Sequence, residues 1–343
     1  MGYTKNKKFL YIGNKLSRYG FTPTGVETLG TKLAEVCDLT TVSNKINIFA
    51  RLFEMFWILF KGRNIYSLVL IDTYSSKAFF YAILCSIICR FLKIKYIPIL
   101  RGGDLPYRLK KSPYLSKQIF KYSYLNISPS NYLKNIFYKY DFNVKFIPNF
   151  IDIDKYPFLL REICSPKIFW VRSFHEVYNP QMAIYTLSEL LKEIPDSSLC
   201  MVGPDKDGSL DKCKILSKRL GISEKVKFTG ILSKKDWTLL SEQYDIFINT
   251  TNQDNHPVSV IEIMALGLPI ISTNAGSLSS LHEDQIDALM VEKNDYFEMK
   301  NKIVSVLKNK KLAKKLSRNS RYKSERYDWR ILKNEWLKVF SSI

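Results

Sequence analysis

Residues 245–276, DIFINTTNQDNHPVSVIEIMALGLPIISTNAG, concentrate the side chains best suited to chemistry. An apolar run ends at Asn249, a polar turn TTNQDNH follows, and Pro257 opens a helical pattern, a position proline favours. The N–H groups of Val258, Ser259 and Val260 lack partners inside such a helix, so together with the helix dipole they attract phosphate. Glu262 stands one turn further in, among Val260, Ile261 and Ile263. A carboxylate there can accept two hydrogen bonds from vicinal ribose hydroxyls. The segment alone equally allows Glu262 on a solvated helix face.

The elements that must position these residues follow a repeating rhythm. Apolar strand-like runs at residues 9–13, 68–71 and 96–100, and weaker ones at 126–128 and 144–147, alternate with helical patterns at 26–36, 78–92 and 131–140. This β-then-α order predicts a parallel sheet covered by helices. Residues 147–167 carry three prolines and little periodicity, which places a boundary near Ser165. The rhythm then restarts, with strands at 168–171, 199–203, 226–229, 245–249 and 269–272 and helices at 180–194 and 257–266. The expected fold class is α/β, two Rossmann-like parallel-sheet domains facing an interdomain cleft, with ligand at the carboxyl ends of the strands.

Composition narrows the function classes. The chain has 343 residues, 46% hydrophobic and 24% charged, ordinary values for a globular protein of two domains. The six cysteines, Cys37, Cys85, Cys89, Cys164, Cys200 and Cys213, form no CxxC and read as reduced thiols. His175, His256 and His282 lie far apart, so no metal site is expected. The DxD-like pairs Asp152/Asp154 and Asp205/Asp207 fall in a loop and a Gly/Pro turn, poor contexts for a metal. The basic N-terminal stretch is followed by too short an apolar run for a signal peptide. Residues 78–89, AFFYAILCSIIC, cannot span roughly 30 Å of hydrocarbon and read as a buried core helix.

Charge is the unusual quantity. Fifty-two Lys and Arg against 32 Asp and Glu give a formal +20, which points to an anionic partner. Residues 1–165 carry +15, residues 166–300 carry −5 and residues 301–343 carry +10. The acidic middle and the lack of any nucleic-acid motif argue against nucleic acid as that partner.

Beyond these readings, the chain resembles the retaining nucleotide-sugar-dependent enzymes of glycosyltransferase family 4, the group 1 glycosyltransferases of GT-B fold. Asp254 and Glu262 have the spacing of the family's paired acidic residues, followed by Met264-Ala265-Leu266-Gly267-Leu268-Pro269-Ile270. Arg172, then Met201-Val202-Gly203-Pro204, then Val226-Lys227-Phe228-Thr229-Gly230, then Asp245-Ile246-Phe247 keep the family's order. The likeness is strong over about residues 165–325 and weak before them. It implies an acceptor domain at 1–165, a nucleotide-sugar domain at 166–323 and a helix at 324–343 crossing back to the first domain.

The resemblance also implies roles. Glu262 becomes the ribose ligand, Asp254 the carboxylate at the donor sugar and Arg172 the diphosphate cation. Gly230 belongs to the loop at the base, Gly203 lies in the motif after the second strand, and Val258 and Ser259 lie in the phosphate cradle. Gly25, in TPTGVE, matches a loop that lets backbone approach the donor phosphates, although a turn before a helix equally explains it. Arg101 stands in IleLeuArgGlyGlyAsp, residues 99–104, where the family often has His, and is expected to act electrostatically because Arg is no base at neutral pH.

Three further departures stand out. Asp254 replaces the commoner Glu, Pro257 removes one N–H from the cradle, and Val177 and Tyr178 occupy the place of a second basic residue. The implied reaction is retaining and metal-independent, with no cofactor beyond the nucleotide-diphosphate sugar that serves as donor. The implied acceptor is a lipid-linked or polysaccharide glycan of the bacterial cell surface, and the implied location is cytoplasmic and peripheral at the inner face of the plasma membrane.

A basic aromatic segment at 46–63, with Ile48, Leu52, Met55, Phe56 and Leu59 at helical spacing, and a second at 107–124 suit an anionic membrane surface, although each taken singly suits a core-facing helix as well. Two alternatives share the fold: a catalytically weak scaffold and a nucleotide-sugar epimerase.

Overall fold

The computed structural model describes residues 7–343; the chain divides into two units, the first running up to residue 149 and including residues 329–343, the second residues 150–328. Residues 1–6, the start of the stretch whose apolar run is too short for a signal peptide, lie outside the described residues.

The first unit holds strands β1 (Lys8–Ile12), β2 (Asp38–Val42), β3 (Tyr66–Thr73), β4 (Lys95–Leu100), β5 (Asn126–Ser128) and β6 (Val144–Phe146). They form one parallel sheet of order 2-1-3-4-5-6. Its helices are α1 (Gly25–Leu33), α2 (Ile48–Lys61), α3 (Ala78–Phe91), α4 (Leu105–Lys111), α5 (Pro113–Phe120) and α6 (Asn131–Tyr138). Strand β2, DLTTV, has no apolar run, and its place at the edge, with Thr40 and Thr41 half-buried, explains why it needs none.

The second unit repeats the plan with β7 (Lys167–Val171), β8 (Ser198–Val202), β9 (Val226–Gly230), β10 (Ile246–Asn249), β11 (Ile270–Thr273) and β12 (Leu289–Val291), all parallel, in the order 9-8-7-10-11-12. Helices α7 (Pro180–Glu193), α8 (Ser209–Arg219), α9 (Lys234–Ser241), α10 (Val258–Leu266), α11 (Leu278–Leu281), α12 (Tyr296–Lys308) and α13 (Lys310–Ser324) complete it. This strand order reverses between β7 and β10, and ligands of open α/β sheets bind beyond the strand ends at such a reversal.

The division falls ahead of the Ser165 expected from sequence. Ile151, Ile153 and Tyr156 are buried in the core of the second unit, and the amide of Ile151 donates to Tyr327 O at 2.9 Å. The buried Arg161 donates to Leu159 O and Leu266 O. The last helix, α14 (Trp329–Ser341), belongs to the first unit: Trp329 Nε1 donates to Glu35 at 2.9 Å, Lys145 pairs with Glu335 at 3.0 Å and Phe340 packs on Phe9.

This division redistributes the charge. The first unit has 26 basic against 8 acidic residues, net +18, and the second 26 against 24, net +2. The basic helix α13 therefore stays with the second unit, where its apolar side covers α10.

Helix α3 differs from the fully buried helix its apolar run suggests. Phe79, Tyr81, Ala82, Ile83, Cys85, Ser86 and Cys89 are buried, whereas Phe80, Leu84, Ile87 and Phe91 are exposed. No helix among the described residues is long and apolar enough to cross a membrane.

Candidate functional site

Arg172, the residue after β7, and Asp254, in the turn after β10, meet at the strand reversal of the second unit. One guanidinium nitrogen of Arg172 pairs with Asp254 Oδ2, and Nη1 donates to Ser259 Oγ at 3.0 Å. The ring of Tyr178 lies under the guanidinium, 4.3 Å from ring centroid to Cζ. An aromatic face thus occupies the position where a second cation was missed in the sequence. Burial, the largest single influence, pulls the Arg172 pKa down, but the Asp254 carboxylate together with Tyr178 and Glu262 holds it above its ordinary value. Burial raises the Asp254 pKa in spite of Arg172 and the Asn255 amide, which donates to Oδ1 at 2.8 Å.

The N-terminal end of α10 leaves two backbone amides open. Pro257 is the N-cap, the amides of Val260 and Ile261 turn back to Pro257 O, and those of Val258 and Ser259 meet no acceptor among the described residues. Helix α10 is apolar all round, and Glu262 is its one charged residue. At 3% exposure Glu262 is not on a solvated face. A buried carboxylate needs partners, and Oε1 receives a 2.6 Å hydrogen bond from Tyr156 and the ammonium of Lys234, the first residue of α9.

Gly203 sits where β8 turns past Arg172. With φ at +149°, a Cβ there would stand 1.8 Å from Arg172 O, so no side chain fits. Its amide donates to Gly230 O at 2.9 Å, which joins the ends of β8 and β9. Gly203→Ala is expected to cost about 1–3 kcal/mol and, by displacing Arg172, to weaken any anion binding beside it. Urea midpoints and nucleotide titration check this, and unchanged values in both would contradict it.

His256, in the turn between β10 and α10 that holds Asp254, is buried against Tyr327, and burial together with the nearby His282 lowers its pKa to about 3. As pH falls below about 6.5 the unfolded chain takes up a proton that the folded site refuses, so stability declines towards pH 3. Each pH unit within that window costs up to about 1.4 kcal/mol. His256→Gln should flatten the slope between about pH 6 and 4 in equilibrium unfolding; an unaltered slope would remove His256 as its source.

Arg101 and Gly25 come together in the first unit. Arg101, after β4, donates from Nε to Asp72 at 2.9 Å, from Nη1 to Asn149 at 2.8 Å and from Nη2 to the Tyr11 hydroxyl at 3.1 Å. Asp72, fully buried at the end of β3, also receives Tyr11 OH at 2.7 Å and the Val26 amide at 2.9 Å. Gly25 opens α1 against this guanidinium: a Cβ there would lie 2.5 Å from Arg101 Nε. Thr24 and Glu27 close a capping box on the same helix. Arg101 is thus held on three sides by protein groups.

The pair Asp205/Asp207 is taken up by backbone amides, and Asp152 pairs with Lys155 at 2.8 Å. Asp205 accepts the amides of Asp207, Gly208 and Leu210, and Asp207 those of Glu176 and Ser209. Tyr156 and Lys234 escaped the sequence reading. Tyr156 lies 106 residues from Glu262, in a proline-rich stretch without periodicity, and Lys234 is one of two adjacent lysines with no motif around them.

Residues 163–323 match the family model described as Glycosyl transferases group 1. The chain is 30% identical over 148 residues to an uncharacterized glycosyltransferase of Haemophilus influenzae, covering 43% of this chain and 41% of that one. It is 23% identical to the N,N'-diacetylbacillosaminyl-diphospho-undecaprenol alpha-1,3-N-acetylgalactosaminyltransferase of Campylobacter jejuni, covering 56% and 46%. The chain therefore spans less than half the length of these two curated relatives. In three dimensions it superposes on Anabaena HepE in complex with UDP and glucose with a TM-score of 0.80, at 16% identity, over 98% of this chain and 100% of that one. The two six-stranded parallel sheets are those of the GT-B fold.

Proposed function

We propose that this chain, a GT-B-fold protein whose residues 163–323 match the group 1 glycosyltransferase model, moves a sugar from a nucleotide-diphosphate sugar to a lipid-linked or polysaccharide acceptor with retention and without a metal. The observation that carries this reading is the Arg172–Asp254 pair beside the open amides of Val258 and Ser259 at the β7/β10 reversal. In this reading Arg172 and the two amides hold the diphosphate, Glu262 takes the ribose hydroxyls and Asp254 faces the donor sugar. Cleavage of the anomeric C–O bond builds negative charge on the leaving phosphate, where fixed donors stabilise it without reorganising. The acceptor oxygen forms its bond to the anomeric carbon on the face the phosphate leaves, and its proton passes to a phosphate oxygen.

Two observations support a lipid-borne acceptor. The first unit carries +18, and the Campylobacter relative is named for an undecaprenol-diphosphate substrate. We place the reaction in bacterial cell-surface glycan assembly, at the inner face of the plasma membrane.

Thermal shift against a panel of UDP and GDP sugars, followed by transfer to a diphospho-undecaprenol glycan and NMR of the product anomer, tests this reading. The expected result is stabilisation by one donor class, a retained anomeric configuration, full activity in EDTA and none in Glu262→Ala. An inverted product, loss of activity in EDTA, or an epimerised sugar formed without acceptor would each overturn it.

A further inference from the structure

Two neighbouring helices of the first unit turn apolar faces outward as well as inward. On α2 the inward side is Met55 and Leu59, with Leu52, Phe56 and Ile58 partly covered. Most of the apolar stripe read from the sequence thus packs on the core. The outward side is Phe49, Phe53, Trp57 and Phe60, at spacings of four, four and three residues, exposed by 81%, 68%, 60% and 48%. Helix α3, which packs against α2, exposes Phe80, Leu84, Ile87 and Phe91 at spacings of four, three and four. Both helices have 14 residues, about 21 Å each. A stripe of this length rich in phenylalanine is not the scattered surface apolar residue of an ordinary globular protein.

Charge says what covers it. Residues 45–121, which contain both helices, hold 14 Lys and Arg against three acidic residues. Of those three, Asp72 is buried on Arg101, and Glu54 is turned to the hydroxyl of Ser43. Lys45, Arg51, Lys61, Arg63, Lys77 and Lys93 lie on the two helices or just beyond their ends. A second copy of this chain would oppose one +18 unit to another, whereas an anionic lipid surface complements the charge and accepts the rings.

We propose that the outward faces of α2 and α3 form a docking surface for an anionic bilayer, with Phe49, Phe53, Trp57 and Phe91 entering the headgroup–acyl boundary. The helices lie along the bilayer rather than cross it. This surface gives the lipid-borne acceptor of the proposed function its place of encounter and rests on that reading for its purpose, though not for its geometry.

The protein carries its own probe. Of its five tryptophans, Trp170, Trp237, Trp329 and Trp336 are at most 5% exposed and Trp57 is the exposed one. The full chain is mixed with vesicles of phosphatidylcholine alone, or with about a third phosphatidylglycerol. Flotation and tryptophan emission are recorded, with a nucleotide-sugar thermal shift measured separately. The expected result is a blue shift and flotation with the anionic vesicles, weaker with neutral ones and weakened by salt. The blue shift should vanish in Trp57→Phe, which still floats, and the F49S/F53S/W57S triple variant should float at least tenfold less with its donor shift intact.

Equal flotation of the triple variant, or a blue shift that grows with protein concentration in the absence of lipid and so reports self-association, would overturn the proposal. Loss of the donor shift with flotation preserved would sink the functional reading and leave the docking surface standing.

Discussion

Arg172→Met should reduce sugar transfer by roughly 10²–10³-fold in kcat and also weaken the fold. In the proposed reaction, the catalytic loss follows from removing the guanidinium beside the open amides of α10 while charge develops on the leaving diphosphate. The stability loss follows from Asp254. The side chains of Arg172 and Asp254 are only 18% and 10% exposed, and their pairing offsets the cost of burying both charges. Taking away the cation alone leaves a buried carboxylate with the Asn255 amide, a loss of about 3–5 kcal/mol.

The pH dependence has a definite sign. Burial already raises the Asp254 pKa, and without Arg172 it rises further. Below the unfolded-state value, about 3.9, both states are protonated and the deficit is small. As pH rises from there towards the folded value, the unfolded chain releases the proton first and the variant loses stability. Urea unfolding of Arg172→Met should therefore show a larger deficit at neutral pH than near pH 4, and the Arg172→Met/Asp254→Asn double variant should recover much of it. A Met variant as stable as the parent at neutral pH would show that Asp254 does not depend on Arg172.

Arg101→Leu should destabilise the first unit by about 3–5 kcal/mol, because Asp72 is fully buried and would keep only Tyr11 and the Val26 amide. Arg101→Lys should recover only part. An ammonium on a flexible stem cannot reproduce a planar fork reaching Asp72, Asn149 and Tyr11 at once. Combining Arg101→Leu with Asp72→Asn removes both charges and should be milder than Arg101→Leu alone. Denaturation midpoints decide the matter. A leucine variant with the parental midpoint and no transfer would show instead that Arg101 acts on the substrate, the role its position in the sequence suggests.

The alternation of apolar runs with helical patterns was legible because strand pleat and helix pitch impose it locally, and it suffices for two parallel α/β units. The stretch around Asp254, Pro257 and Glu262 was legible for a similar reason: a turn, an N-cap and the first turns of a helix are local events, and their open amides follow from the helix itself. The edge strand β2 was not legible, because Thr-rich edges need no apolar run. Nor was the extent of the second unit, since the proline-rich stretch after Asn149 shows its allegiance only through Ile151, Ile153 and Tyr156 packing into that core.

What the sequence by itself determined, then, is the order of elements and the helix end with open amides. What only the tertiary structure decided is which groups complete it. Tyr156 and Lys234 reach Glu262 from 106 and 28 residues away, Arg101 after β4 is held by Asp72 and Tyr11 from the ends of β3 and β1, and α2 and α3 each keep a second apolar face outside the core. The reason is physical. Periodicity records whether a side chain can be buried, but its partner depends on which elements the sheet order brings side by side, and no spacing along the chain encodes that.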